Sequence, residues 1–214
     1  WDLPRARRFA DACADAGVAW VEEPLAMDAW DDQAALVAHA RVAIAGGELH
    51  TGGYAELAMM AQRRCYDVFQ PDAMFTGGVA QTWRLVARLR ELGLRYTPHT
   101  WTNGVGLAVN LQLFAASGFA ASELFEYPLD PPGWVPEARD AMLAQPFTAD
   151  RGTLRVPDAP GLGITVDPRA LRRWGRRFFV MDRKRLVAFA LRDRGLRAAV
   201  EIDRARRARR RAAG

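Results

Sequence analysis

The chain has 214 residues, 50% hydrophobic and 26% charged, which is enough apolar material for one sizeable core and excludes a fibrous or wholly disordered composition. Its formal charge of +5 comes entirely from the six arginines of Arg204–Arg211 (RARRARRR), so basicity belongs to the tail and does not mark the main domain as a nucleic-acid binder. No apolar run reaches the ~18 residues of a membrane-spanning helix, no signal peptide is recognisable, and Cys13 and Cys65 lack CxxC spacing; a reduced, cytoplasmic setting is expected.

In chain order, LPRARRFADACADAG reads as a helix with Pro4 in its first turn and Gly17 just past its end. VAWVEEP is a short apolar strand that runs into Glu22 and Glu23, after which Pro24 forces the chain out of the sheet. WDDQAALVAHA predicts a helix capped by Asp31 or Asp32, with His39 structural. ARVAIAGGE is a second strand ending at Glu48, and His50 follows two residues later as a candidate substrate contact. YAELAMMAQRRC offers a Leu57, Met60, Ala61 helical face. The strand YDVFQPD then ends at Asp72. GGVAQTWRLVARLRELG carries Val79, Trp83, Leu85, Val86 and Leu89 at near-helical spacing and stops at Gly93. LRYTPH ends at His99, GVGLAVNLQLFAASG is a helix closed by Gly118, and SELFE predicts a fifth strand ending at Glu126.

From Glu22 the ionisable tips follow at steps of 26, 24, 27 and 27 residues. Strand–helix repeats of that length make parallel βα units, either an open doubly wound sheet or part of a barrel. Chemistry-bearing side chains at five successive strand ends favour the barrel, where they converge on one face. Neither GxGxxG nor a P-loop is present, and Gly46-Gly47, Gly52-Gly53 and Gly77-Gly78 read as turns at strand ends. The expected fold class is therefore α/β, a partial (β/α)8 TIM-type barrel holding the later strands. Five strands do not close eight, so about three βα units are expected before Trp1. The expected layout is a partial barrel over 1–130, an irregular return segment over 131–168, and a helical, arginine-rich extension over 169–214.

Glu22 and Glu48 occupy corresponding positions on neighbouring strands. Two close carboxylates need a positive partner, and the residues alone leave open a divalent cation or an arginine. Oxygen ligands suit Mg2+, whereas zinc would call for histidine or cysteine in an HxH or HExxH pattern. Asp72 facing His99 would fix the imidazole tautomer and make it a proton carrier near neutral pH. Glu126 is placed to hydrogen-bond a substrate oxygen.

VEEP, GGE, QPDAMFTGGV, PHTWTNG and LFE, in this order and spacing, resemble the C-terminal barrel domain of the enolase superfamily, within its mandelate racemase/muconate lactonizing enzyme-like members and nearest the mandelate racemase subgroup. The late run VPDAPGLGI is similar to the segment that returns toward the capping domain of such proteins. The resemblance implies that Glu22 and Glu48 are two of three Mg2+ ligands, that Asp72 and His99 form a general acid/base dyad, and that Glu126 hydrogen-bonds an enediolate. It further implies proton abstraction α to a carboxylate, with a small carboxylate, a sugar acid, as the partner. The third ligand, an aspartate, is expected just before Trp1. A lysine-bearing strand and the cap are expected beyond it; Lys184, in the tail, does not match that lysine. Dehydratase chemistry is the leading reading, since the polar PHTWTNG mouth and His50 suit a polyhydroxy acid. A racemase or epimerase, an inactive fragment and a glycoside hydrolase-like barrel with paired carboxylates are the alternatives. The arginine tail is read as a solvated terminus, and the full-length parent is expected to be a homo-oligomer.

Overall fold

The computed structural model describes residues 1–130, 133–175 and 182–212. Two compact units divide the chain, Trp1–Arg173 and Trp174–Gly214. The first unit alternates helix and strand: α1 (Leu3–Asp15), β1 (Trp20–Glu22), α2 (Trp30–His39), β2 (Ala43–Gly46), α3 (Gly53–Gln62), β3 (Val68–Phe69), α4 (Val79–Glu91), β4 (Arg95–Tyr96) and α5 (Gly104–Ser117). The strands form one parallel sheet in sequence order, β1-β2-β3-β4. Glu22 pairs with Ala45, Gly46 with Phe69, and Phe69 with Tyr96, so the chain leaves successive strands at one end of the sheet. Helices pack on one another between the strands they connect, α1 on α2, α3 on α4, and α4 on α5. This is an arc of a (β/α) barrel.

The local reasons are in the sequence. Asp2 caps α1, its carboxylate accepting the Arg5 N–H at 2.9 Å, and Pro4 occupies the first turn, where no intrahelical donor is needed. Asn103 caps α5 through Val105 and Gly106, and Gly118 closes it in the left-handed region with φ 83°. Leu36, Ile44, Leu57, Met60, Phe69, Leu85, Leu89 and Tyr96 are buried in one core cluster between helices and sheet. A smaller cluster, Leu107, Ala108, Leu111, Leu143 and Phe147, lies between α5 and the return segment. Burial of such side chains contributes roughly 1.5–3 kcal/mol each.

Two expectations are corrected. Helix α2 begins at Trp30 with Ala29 at the N-cap and no side-chain cap; Asp31 and Asp32 sit inside the first turn, where their charge meets the positive helix end. More consequentially, the fifth strand does not form. Residues 122–126 make no ladder, and among the described residues the amides of Leu124, Phe125 and Glu126 find no backbone acceptor. Side chains dock the segment beside β4 instead. Arg95 grips Glu123 bidentately at 2.7 Å through both oxygens, and the Thr97 hydroxyl donates to the Leu124 carbonyl at 2.5 Å.

The return segment contains α6 (Pro136–Arg139) and an antiparallel hairpin of β5 (Ala149–Asp150) and β6 (Thr153–Leu154). It is anchored by a buried ion pair between the neighbours Arg139 and Asp140. Arg139 also donates to the Pro128 carbonyl and the Tyr127 hydroxyl, and Asp140 accepts the Phe147 N–H. Full pairing of both buried charges is what makes that burial tolerable. Beyond it come α7 (Pro168–Trp174) and α8 (Arg183–Ala212), which is broken at Gly195 by a non-helical φ of 80° and ψ of 177°. Parts of the expected helical extension, 176–181 and 213–214, lie outside the described residues.

Candidate active site

The expected tip residues gather at the C-terminal end of the sheet. Asp72 lies three residues past β3 and is wholly buried. Its Oδ1 accepts the Met74 N–H at 2.8 Å and the Asn110 amide at 2.8 Å, and its Oδ2 lies 3.1 Å from His99 Nδ1. His99, three residues past β4 and 7% exposed, turns its other nitrogen to Glu48, with Nε2 to Oε2 at 3.2 Å. One imidazole thus joins the ends of three successive strands.

Burial lowers the His99 pKa, but the Asp72 hydrogen bond and the charges of Glu48 and Glu126 outweigh it and hold the ring above the ordinary histidine value. Burial pushes the Glu48 carboxyl up; His99 pulls it down, and the charges of Glu23, Glu22 and Glu126 push it up again. Glu126 is likewise raised, chiefly by burial, against the hydrogen bonds it receives. Those bonds fix it firmly: Oε2 accepts the Thr100 N–H at 2.8 Å and Oε1 the Trp101 indole N–H at 2.6 Å, while the Thr100 hydroxyl donates to the Glu126 carbonyl at 2.7 Å.

Glu22 ends β1 and is solvent-exposed. Its neighbour Glu23 turns the chain in the left-handed region, φ 39°, while its N–H continues the ladder to Ala45. The Glu23 Oε1 accepts the Gly47 N–H at 2.9 Å, which ties the end of β1 to the residue before Glu48. The glycines of GGE are required by this closeness. A Cβ on Gly46 would stand 2.6 Å from the Tyr66 ring and 2.8 Å from Glu23 Cγ, and Gly47 adopts φ 112°.

The charges of Glu22, Glu23 and Glu126 all act on Glu48, and that of Glu22 on Glu126, a negative field that favours a cation. Among the described residues, no three His, Cys, Asp or Glu side chains are grouped closely enough to hold a metal ion by themselves. The local donors are carboxylate oxygens, which fit a hard ion such as Mg2+ as a pair of ligands. His50 is 2% exposed, with Nδ1 2.9 Å from Glu56 Oε1 and its ring edge-on to Tyr66.

The sequence reading did not single out Asn110, and it placed Thr100 and Trp101 only within the polar PHTWTNG mouth, with no tie to Glu126. Asn110 did carry a signal, an amide within the apolar run GVGLAVNLQLFAAS, because a buried amide requires partners. The partners of Glu126 carried none, since they depend on how the loop after β4 folds back.

The family described as enolase C-terminal domain-like matches residues 1–170. The chain belongs to that enolase family. The members it matches are of the mandelate racemase/muconate lactonizing enzyme-like kind. This enolase-type chain is 30% identical to D-galactarolactone cycloisomerase of Agrobacterium fabrum over 175 residues, 80% of this chain and 46% of that protein. It is 31% identical to arabinonate dehydratase of Saccharolobus solfataricus over 150 residues, 70% of this chain and 38% of that protein. Among solved structures, L-talarate dehydratase from Polaromonas sp. JS666, complexed with Mg and L-glucarate, superposes with a TM-score of 0.68 at 26% identity, covering 83% of this chain and 45% of that one. The chain thus spans less than half the length of these relatives, and its fold is that of part of their barrel domain. No helix among the described residues is long and apolar enough to cross a membrane.

Proposed function

We propose that this chain supplies the proton-transfer side of an Mg2+-dependent acid-sugar dehydratase. The observation that carries the reading is the unbroken line Asp72–His99–Glu48, with hydrogen-bonding distances of 3.1 and 3.2 Å across three strand ends. It is supported by similarity to enzymes named for acid-sugar dehydration and cycloisomerisation.

Glu22 and Glu48 would hold Mg2+, whose charge would lower the cost of negative charge developing on a substrate carboxylate. His99 performs the proton step. Asp72 keeps the proton of the neutral ring on Nδ1 and stabilises the imidazolium, so Nε2 carries the exchangeable proton. Delivered to the β-hydroxyl, that proton lets the group leave as water once the α-proton has gone to a base on the opposite face of the substrate. Glu126, held by Thr100 and Trp101, hydrogen-bonds the substrate oxygen on which charge accumulates. Phe75 adds apolar surface near the imidazole, its ring lying 6.5 Å away. The substrate is a small polyhydroxy carboxylate.

The test is turnover of a panel of aldonic and aldaric acids with Mg2+, read as 2-keto acid formation. His99→Gln should lower it by at least the ~10²-fold of a lost general acid, and a chelator should abolish it. Activity that survives both changes would refute the assignment.

A further inference from the structure

We propose that Asn110, in the buried middle of α5, is the positioning residue that sets the tautomer and placement of His99. The inference rests on His99 being the proton carrier of the reaction proposed above. Asn110 is fully buried and reaches across to the ends of both β3 and β4. Its Oδ1 accepts the Ala73 N–H at 3.0 Å. A backbone N–H can only donate, so the amide has one orientation. The NH2 group must then face its other two neighbours, Asp72 Oδ1 at 2.8 Å and the His99 carbonyl at 3.0 Å, and both are acceptors. All the bonds agree, and the orientation follows from the heavy atoms alone.

The consequence passes from Asn110 to the ring. Asp72 Oδ1 already receives two N–H donors, Asn110 and Met74. With Oδ1 occupied by those two donors, Oδ2 is the oxygen that faces His99 Nδ1, at 3.1 Å, and accepts its N–H. The tautomer is thereby fixed, with Nε2 facing Glu48. The second bond of the NH2 group, to the His99 carbonyl, holds the backbone that carries the ring. A leucine at 110 would leave the Ala73 N–H and the His99 carbonyl unpaired and would remove one of the two donors that hold Asp72 Oδ1. An aspartate would press a second carboxylate on the first.

The test reads the ring directly in the full 214-residue chain. Uniform 15N labelling and two-dimensional NMR, at a fixed pH where the ring is neutral, report which nitrogen carries the proton. His99→Gln assigns the signal against His39 and His50. The native chain should show a single Nδ1–H form with a strongly deshielded proton. Asn110→Leu should lose that proton signal and mix the two tautomers. Leu107→Ala, buried in the same helix, should lower stability and keep the signal. Asn110→Ser serves if the leucine variant does not fold; it retains one hydroxyl and should also lose the single form. A folded Asn110 variant with an unchanged Nδ1–H signal overturns the role, as does a native chain whose ring carries its proton on Nε2. Absence of acid-sugar turnover bears on the function and not on this signal. Absence of the signal in a chain that turns over acid sugars overturns the role of Asn110 alone.

Discussion

His99 loses hydration in its pocket yet gains Asp72 and Glu48, and the balance leaves its ring more readily protonated than free histidine. Glu48 and Glu126 are also raised, because burial disfavours their charged forms. All three groups hold their protons more tightly in the folded chain than in the unfolded one. The linkage has one sign: this stabilisation is fully present below the unfolded values, near 4.5 for glutamate and 6.5 for histidine, and is lost as pH rises through the raised folded values. In the presence of a chelator, the thermal midpoint should therefore rise as pH falls from about 8 to about 6, and saturating Mg2+ should reduce that dependence. Calorimetry at matched ionic strength checks it, and a midpoint that falls over that interval contradicts it. At this scale the sequence was informative about residue identity. Glu22, Glu48, Asp72, His99 and Glu126 were all visible at regular spacing, whereas the Glu23–Gly47 bond and the Asn110 clamp depend on distances that spacing does not encode.

The helices and the first four strands were legible because each is a local pattern, a cap followed by an apolar face or a short apolar run ending in a polar tip. The fifth strand was misread for a physical reason. SELFE has strand composition, but β-structure is completed by a neighbour, and the backbone of 124–126 has none among the described residues. Arg95 takes over as the chief attachment, exposed on its own side but gripping a Glu123 carboxylate that is only 6% exposed. Arg95→Met should therefore strand a mostly buried charge and cost about 1–3 kcal/mol, more than an exposed ion pair would. Urea denaturation measures the loss, and limited proteolysis should show earlier cutting within 122–130. A loss below a few tenths of a kcal/mol would mean that Thr97 and Thr100 hold the segment without it.

At the largest scale, and among the described residues of Trp1–Arg173, the sheet has two open margins. Strand β1 is paired on one side only, by β2, and Val18 just before it is exposed; at the other margin stand the amides of 124–126. Such margins recruit strands from other chains. The 23.8 kDa chain should therefore associate in a concentration-dependent way on size exclusion with light scattering. A sharp monomer at all concentrations, with one cooperative melting transition, would argue that the margins are protected. The seating of Glu126 has a further consequence. Because the Thr100 N–H and the Trp101 indole moor that acid, and the Arg95–Glu123 pair holds the segment that carries it, there is no strand register to preserve, and its position can drift in evolution by exchanging one anchor at a time. The four-strand scaffold would be inherited intact beneath it, which gives a lineage of such domains an inexpensive way to re-aim its last carboxylate at a differently shaped acid.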